Sequence, residues 1–373
     1  MINVLHVIGY LGRGGDTTVV MEVMKSMDKN KYHFDFITHE GTTDMELVKK
    51  LRGMGCTVYI LKGDVRKLGP VKYYKEIKNI LKNSDVKYDA VHTHTSMQSG
   101  IALAAAKHSG IKIRVCHSHV TTIQRKASMV KKIISIPVFK FLYNRYSTKK
   151  VACSKMAGDF LFGNIDNYTL IYNAVDLQKF IAVTEDDVKN ARRELGINRD
   201  DIVIGHIARM SEMKNQQFDI QLAKLTERDK NIKFVLVGDG KDFQKIKDEA
   251  QSVSDKVILT GQRNDVPVLM KGFDCVILPS LSGEGFPVTV MEAQAAGCRC
   301  IISDTVTPEV EVGLNLVEII SLDNTEAWVN AVRNITRNNN MDFRNKCAEE
   351  LRDKGFDKGT FVDKWLSLYA VNS

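Results

Sequence analysis

No stretch of this chain approaches the roughly 20 consecutive apolar residues that a membrane-spanning helix needs, so none is expected. The first residues, MINVLHVI, lack a basic lead and run straight into a strand pattern, so no secretory leader is expected either. Cysteine occurs seven times, at 56, 116, 153, 275, 298, 300 and 347, but never as a CxxC pair. An odd, scattered set argues against a disulfide framework or a metal ribbon and for a reducing, cytoplasmic setting. Cys298 and Cys300 alternate along a short strand pattern and read as small core residues. Acidic residues are absent from 121–150, where Arg125, Lys126, Lys131, Lys132, Lys140, Arg145, Lys149 and Lys150 alternate with Met129, Ile133, Ile136, Phe139, Phe141 and Tyr143. That pattern fits either a peripheral surface for anionic lipid headgroups at the inner face of the membrane or a solvated helix face over its own core. No nucleic-acid motif accompanies the charge, so no nucleic-acid partner is expected.

What remains is an ordinary globular composition: 373 residues, 44% hydrophobic, 26% charged, net charge +8. The length suits two domains. Short apolar strands alternate with amphipathic stretches along the whole chain. Strands are expected at 3–8, 33–38, 57–61, 90–94, 113–117, 150–153 and 170–171, then at 201–208, 233–237, 257–260, 275–278 and 299–303. Strands without polar alternation, each followed by a helix, build parallel sheets covered on both faces. There are too many for one sheet. The fold class is therefore α/β with two Rossmann-like domains, whose parallel sheets present their strand ends across a cleft. The polar stretch 178–201 holds the junction. The domains are placed at 1–176 and 177–354, with a C-terminal helix at 355–373 whose apolar stripe (Trp365, Leu366, Leu368) packs back on the N-terminal domain.

The segment 279–297, PSLSGEGFPVTVMEAQAAG, carries the clearest chemistry. It follows an apolar strand, opens as a glycine-rich loop, and becomes a helix near Pro287 that stops near Gly297. Glu284 lies in the loop and Glu292 inside the helix, eight positions apart. Beside them the free amides of the helix start form an anion site. Carboxylates next to such amides suit a polyol that carries a phosphate. A capping acid and a solvated acid are the ordinary alternative. The glycines flanking Glu284 and the apolar neighbours of Glu292 (Val288, Val290, Met291, Ala293) argue against it.

Other elements are individually weaker. Gly12-Arg-Gly14-Gly15-Asp16 is a βα turn that lets backbone approach a phosphate or sugar, but it is not the GxGxxG dinucleotide fingerprint. His92-Thr-His94 and His117-Ser-His119 end two strands. Two His-x-His pairs raise zinc, but no carboxylate or cysteine stands at a suitable spacing, so no metal is expected. Arg209 and Lys214 share the loop after the strand at 201–208 and can reach one anion, the first as a fork and the second as a point charge. Val237-Gly-Asp239-Gly240 and Leu259-Thr-Gly261-Gln-Arg263 are further strand-end turns that could shape a nucleotide pocket.

Taken in order, these elements resemble the retaining GT-B glycosyltransferases of family four, many of which build bacterial capsular, exopolysaccharide and cell-wall glycans. The most specific mark is the E-x7-E of Glu284 and Glu292. The GRGG turn, the two histidine strand ends, Val151-Ala-Cys-Ser154, Asn173-Ala-Val-Asp176 and the Arg209/Lys214 loop extend the resemblance over most of the chain. It implies a nucleotide-diphosphate sugar donor, UDP-linked, and a glycan or lipid-linked acceptor, with no cofactor. It further implies that Glu292 holds the ribose, Glu284 positions the donor sugar, and Arg209 and Lys214 neutralise the departing diphosphate. His117 would touch the sugar, Gly14 and Gly15 would close over the phosphates, and the residues around Arg263 would meet the base. By the same resemblance, Gly285, Phe286, Pro287 and Val288 would line the donor side of the loop. Asp16, His94, His119 and Asn173 fall toward the acceptor. Two departures stand out: Asn-Ala-Val-Asp replaces the family's Asn-Gly-Val-Asp, and Pro287 removes one amide donor at the helix start. A UDP-sugar epimerase on the same fold and a catalytically silent sugar-nucleotide-binding partner are the alternatives.

Overall fold

The computed structural model describes residues 1–12, 14–41, 43–122, 129–163, 167–282 and 284–370, and side chains of the helix Met129–Tyr146 from residue 136 onward. The chain forms two compact units, Met1–Asn173 with Gly359–Ser373, and Ala174–Lys358. The division thus falls at 173/174 and again at 358/359, a few residues from the expected 176/177 and 354/355.

The first unit is built on seven parallel strands: β1 (Ile2–Val7), β2 (Tyr32–His39), β3 (Val58–Leu61), β4 (Ala90–Thr93), β5 (Ile113–Ser118), β6 (Lys149–Ala152) and β7 (Thr169–Leu170). They lie in the order β3-β2-β1-β4-β5-β6-β7. Helices cover both faces, so the central strands can be apolar throughout: Val4, Leu5, Val7 and Val91 are fully buried. The chain winds outward from β1 to β3 and then returns to place β4 on the other side of β1. At that reversal the loops leaving β1 and β4 part in opposite directions and open a crevice at the strand ends. The β1–β4 register sets His6 opposite His92.

The second unit repeats the plan with β8 (Ile202–Ile207), β9 (Ile232–Val237), β10 (Val257–Gly261), β11 (Cys275–Leu278), β12 (Arg299–Ser303) and β13 (Val317–Ile320). The order is β10-β9-β8-β11-β12-β13, with the reversal between β8 and β11. Strand β13 was not expected. It is an edge strand in which Ile319 is exposed and Glu318 pairs with Arg299, so its pattern carries little of the usual apolar signal.

The C-terminal helix Lys358–Ser367 returns to the first unit from Gly359 on. Trp365 and Tyr369, both fully buried, lie against His92, and Tyr369 also meets Phe34 edge-on. Tyr369 falls beyond the expected stripe, while Leu366 is only partly buried. All seven cysteines are buried free thiols, and burial raises Cys116 and Cys298 to about 12. Among the described residues no helix is long and apolar enough to cross a membrane. Of the basic stretch, Arg125 and Lys126 lie outside the described residues, as do the side chains of Lys131 and Lys132.

Candidate functional site

In the second unit the strand-order reversal brings two loops together. The loop after β8 carries Arg209 and Lys214, and the loop after β11 carries Glu284. Backbone and side chain stitch them: Leu281 N donates to Met213 O at 2.9 Å, and Asn215 Nδ2 donates to Pro279 O at 3.1 Å. Asn215 sits in the left-handed region (φ 60°), a conformation that asparagine tolerates better than most residues. It ends the turn that holds Lys214 and leads into the helix Gln216–Leu225.

Lys214 Nζ donates to Glu284 Oε1. Glu284 is buried, and its carboxylate also accepts from Ser280 Oγ at 2.9 Å. The carbonyl of Ser280 in turn accepts from Ser303 Oγ at 2.7 Å and Thr305 Oγ1 at 2.6 Å. Ser280 is therefore clamped at both ends and fixes where Glu284 points. Sequence reading missed this role, since a loop serine carries no distinguishing pattern. Arg209 lies exposed on the same loop.

The helix after Glu284 runs Val288–Ala295, with Pro287 as its N-cap. Pro287 thus precedes the helical amides, and no side chain caps the helix start. Phe286 is buried parallel to Phe356, ring centroids 6.3 Å apart, which anchors the loop. The helix closes at Gly297 (φ 63°), where a Cβ would stand 2.7 Å from Arg344 Cα. Glu292 is partly buried and borders a pocket of 410 Å³. Asp176, Lys179, Phe180, Asn264 and Val266 also line it. A volume in this range accommodates a nucleoside.

Two of the remaining strand-end turns have defined structural partners. Arg263 lies two residues before the Asp265 that lines the pocket, but its guanidinium holds Asp265 (2.7 Å) and Glu194. That fork keeps both carboxyls below the usual carboxylate range. The neighbouring Asn264–Val268 line the pocket. The Val237-Gly-Asp-Gly240 turn is a packing device: Cβ atoms at Gly238 and Gly240 would stand 2.1 and 2.2 Å from the carbonyl oxygens of Ala208 and Met210. Only glycine lets the β9 loop lie against the loop that carries Arg209.

In the first unit, the ends of β1, β4 and β5 bring five histidines together. His94 Nδ1 lies 2.9 Å from His119 Nε2, His94 Nε2 lies 3.1 Å from His6 Nδ1, and His92 Nε2 lies 3.1 Å from His117 Nδ1. The two rows stack, with ring centroids 4.4 Å apart for His92/His94 and 4.1 Å for His117/His119. Burial holds His92, His94 and His117 well below the usual imidazole range, with neighbouring imidazoles adding to it, and burial lowers His6 to about 3 and His119 to about 4. Ligand atoms of His6, His92 and His94, and of His94, His117 and His119, come within 4.8 Å of one another, close enough to hold a metal ion. The spacing rule used on the sequence missed these triads because the third ligand comes from another strand. Here, however, neighbouring nitrogens are hydrogen-bonded edge to edge, an arrangement in which imidazoles share protons.

Gly14 is the extended N-cap of the helix Gly15–Ser26. Among the described residues, a Cβ on Gly15 would meet nothing within 4 Å. Asp16 Oδ1 accepts from Thr17 N at 2.8 Å, and Arg13 lies outside the described residues. Asn173 is buried at the end of the first unit.

Comparison with known proteins agrees in both units. Residues 13–179 match the model of Glycosyltransferase Family 4, and residues 187–354 that of Glycosyl transferases group 1. The chain is 33% identical over 380 residues to the glycosyltransferase EpsF of Bacillus subtilis, covering 99% of this chain and 97% of that one. It is 29% identical over 303 residues to the UDP-Gal:α-D-GlcNAc-diphosphoundecaprenol α-1,3-galactosyltransferase of Escherichia coli, covering 76% and 75%. Among solved structures, Anabaena HepE in complex with UDP-glucose superposes with a TM-score of 0.77 at 18% identity, covering 98% of this chain and 100% of that one.

Proposed function

The chain belongs to the glycosyltransferases of group 1 and family 4, and from that premise we propose that it moves a sugar from a UDP-linked donor to a lipid-linked or glycan acceptor, with retention at the anomeric carbon. The observation that carries this reading is the joined pair of loops in the second unit. It ties Lys214 to Glu284 and leads into the uncapped helix start, and Glu292, farther along that helix, borders a nucleoside-sized pocket. The UDP donor is further supported by the E. coli relative, whose name specifies UDP-Gal and a diphosphoundecaprenol acceptor.

In this reading the base lies against Asn264–Val268 and the ribose hydroxyls donate to Glu292. The diphosphate faces Arg209, Lys214 and the amides of Val288 and Thr289, and the family resemblance assigns Gly14 and Gly15 to the phosphates as well. As the bond between the anomeric carbon and the diphosphate oxygen breaks, the electron pair leaves with the phosphate and the sugar gains oxocarbenium character. Fixed cations and amides stabilise that leaving group, supplying the charge that a metal ion supplies elsewhere. The acceptor hydroxyl attacks from the same face, and its proton passes to the departing phosphate oxygen. Glu284, already bound by Ser280 and Lys214, positions the sugar's hydroxyls. It is not a nucleophile. The family resemblance assigns His117 to the donor sugar and Asp16, His94, His119 and Asn173 to the acceptor side.

A peripheral membrane location suits a lipid-linked acceptor. In the helix Met129–Tyr146 the exposed Val138 and Phe141 stand beside exposed Lys140 and Arg145. Apolar side chains interleaved with cations favour an anionic bilayer surface. Liposome flotation is expected to be stronger with anionic than with neutral lipid, and equal binding would refute this part.

The activity itself is tested by a screen of UDP-sugars read as UDP release, with and without lipid extract. Release that depends on one sugar and on the extract supports the transferase. Conversion of a UDP-sugar to its epimer without any acceptor would replace it with an epimerase.

A further inference from the structure

The row of imidazoles that ends at His117 has a direction. Trp365 Nε1–H can only donate, and it donates to Tyr369 Oη at 2.9 Å. Tyr369 Oη lies 2.6 Å from His92 Nδ1. All three residues are fully buried. If His92 donated to the phenol instead, the phenol proton would have no acceptor and His117 Nε2 would be a bare lone pair, two unmet buried groups, whereas the opposite direction leaves only the His117 Nε2–H unmet among the described residues. The phenol therefore donates to His92 Nδ1. A neutral imidazole that accepts at Nδ1 carries its proton on Nε2, and His92 Nε2 faces His117 Nδ1 at 3.1 Å. The same step repeats at His117, which accepts at Nδ1 and carries its proton on Nε2. That nitrogen is buried and has no hydrogen-bond partner among the described residues. Burial and the surrounding imidazoles keep both rings neutral, so each has one proton to place.

We infer that Trp365 and Tyr369, acting through His92, lock His117 in the tautomer that presents an Nε2–H donor to an oxygen of the donor sugar. The sugar-facing half of this inference rests on the role proposed above for His117, whereas the tautomer does not. The reversed row would offer a lone pair at that position, which a ring or phosphate oxygen repels. Trp365, Tyr369 and His92 are thus positioning residues, and the C-terminal segment contributes to the site without touching substrate.

The tautomers are read directly from ¹⁵N chemical shifts of the full chain labelled with [¹⁵N]histidine. Both His92 and His117 are expected as neutral Nε2–H forms at pH 7.5. Tyr369→Phe is expected to turn His117 into a mixture of tautomers and to lower kcat/KM roughly tenfold. In a His117→Gln background, where the amide donates whatever the row's direction, the same Tyr369→Phe change is expected to cost little. A wild-type His117 in the Nδ1–H form overturns the inference, even if the variant does not fold. An unchanged ¹⁵N pattern in a folded Tyr369→Phe protein overturns it as well. Tautomers that respond as expected while kcat/KM does not move would refute the sugar contact and leave the relay standing.

Discussion

Lowering the pH from 7.5 to 5.5 is expected to destabilise the first unit selectively, because that unit buries neutral imidazoles. His6, His92, His94 and His117 are all buried, and each has its pKa depressed, His6 to about 3. A base with a depressed folded pKa stays neutral while its unfolded counterpart takes up a proton below about 6.5. The unfolded state then binds more protons, so stability is lost as pH falls from there toward the folded pKa. Between pH 7.5 and 5.5 each imidazole that stays neutral in the fold costs about 1.4 kcal/mol. His6 alone sets the lower bound at about 1.4 kcal/mol, and the other imidazoles of the cluster, His119 included, act in the same direction and raise the total to several kcal/mol. That total is a large fraction of a domain's typical stability of about 5–15 kcal/mol. The two tryptophans make the assay simple, since Trp365 belongs to the first unit and Trp328 to the second. Urea unfolding of 5-fluorotryptophan-labelled protein, followed by ¹⁹F NMR, reads both units in one titration. The Trp365 midpoint should fall sharply on acidification while the Trp328 midpoint moves less, and His6→Phe should remove about one proton from the first unit's response. Parallel movement of the two midpoints would refute the reasoning.

Ser280→Ala removes the hydroxyl that orients Glu284 but leaves the carbonyl that Ser303 and Thr305 hold; kcat/KM should fall roughly fivefold with little change in the Trp328 transition. Gly205→Ala places a Cβ 2.1 Å from the Phe273 ring and should cost the second unit about 1–3 kcal/mol in the same urea titration. Gly238→Ala, at φ 136° and 2.1 Å from the Ala208 carbonyl, should both destabilise that unit and lower activity, because the displaced loop carries Arg209.

The two-unit α/β plan was legible because buried parallel strands have a simple apolar pattern with helices between them. The Glu284/Glu292 element was legible too, since glycines and proline mark its loop and helix. Strand β13 was not, because an exposed edge relaxes the demand for apolar residues. The histidine array was only half visible: the two His-x-His pairs are local, but bringing His6 beside them depends on the strand order around β1. Ser280 orients Glu284 within one loop and Tyr369 bonds His92 across the fold, and no sequence pattern marks either residue. Arg263 stands beside the pocket region in the chain, but its pairing with Asp265 and Glu194 could not be read from the sequence.

The central claim is that the second unit binds the donor by two separable parts, Glu292 for the ribose and Lys214 for the diphosphate. Isothermal titration of UDP and of uridine into wild type, Lys214→Ala and Glu292→Ala tests it most directly. Lys214→Ala should weaken UDP roughly tenfold or more and leave uridine unchanged, while Glu292→Ala should weaken both by about tenfold. Equal effects of the two substitutions on both ligands, or no effect on either, would contradict the account.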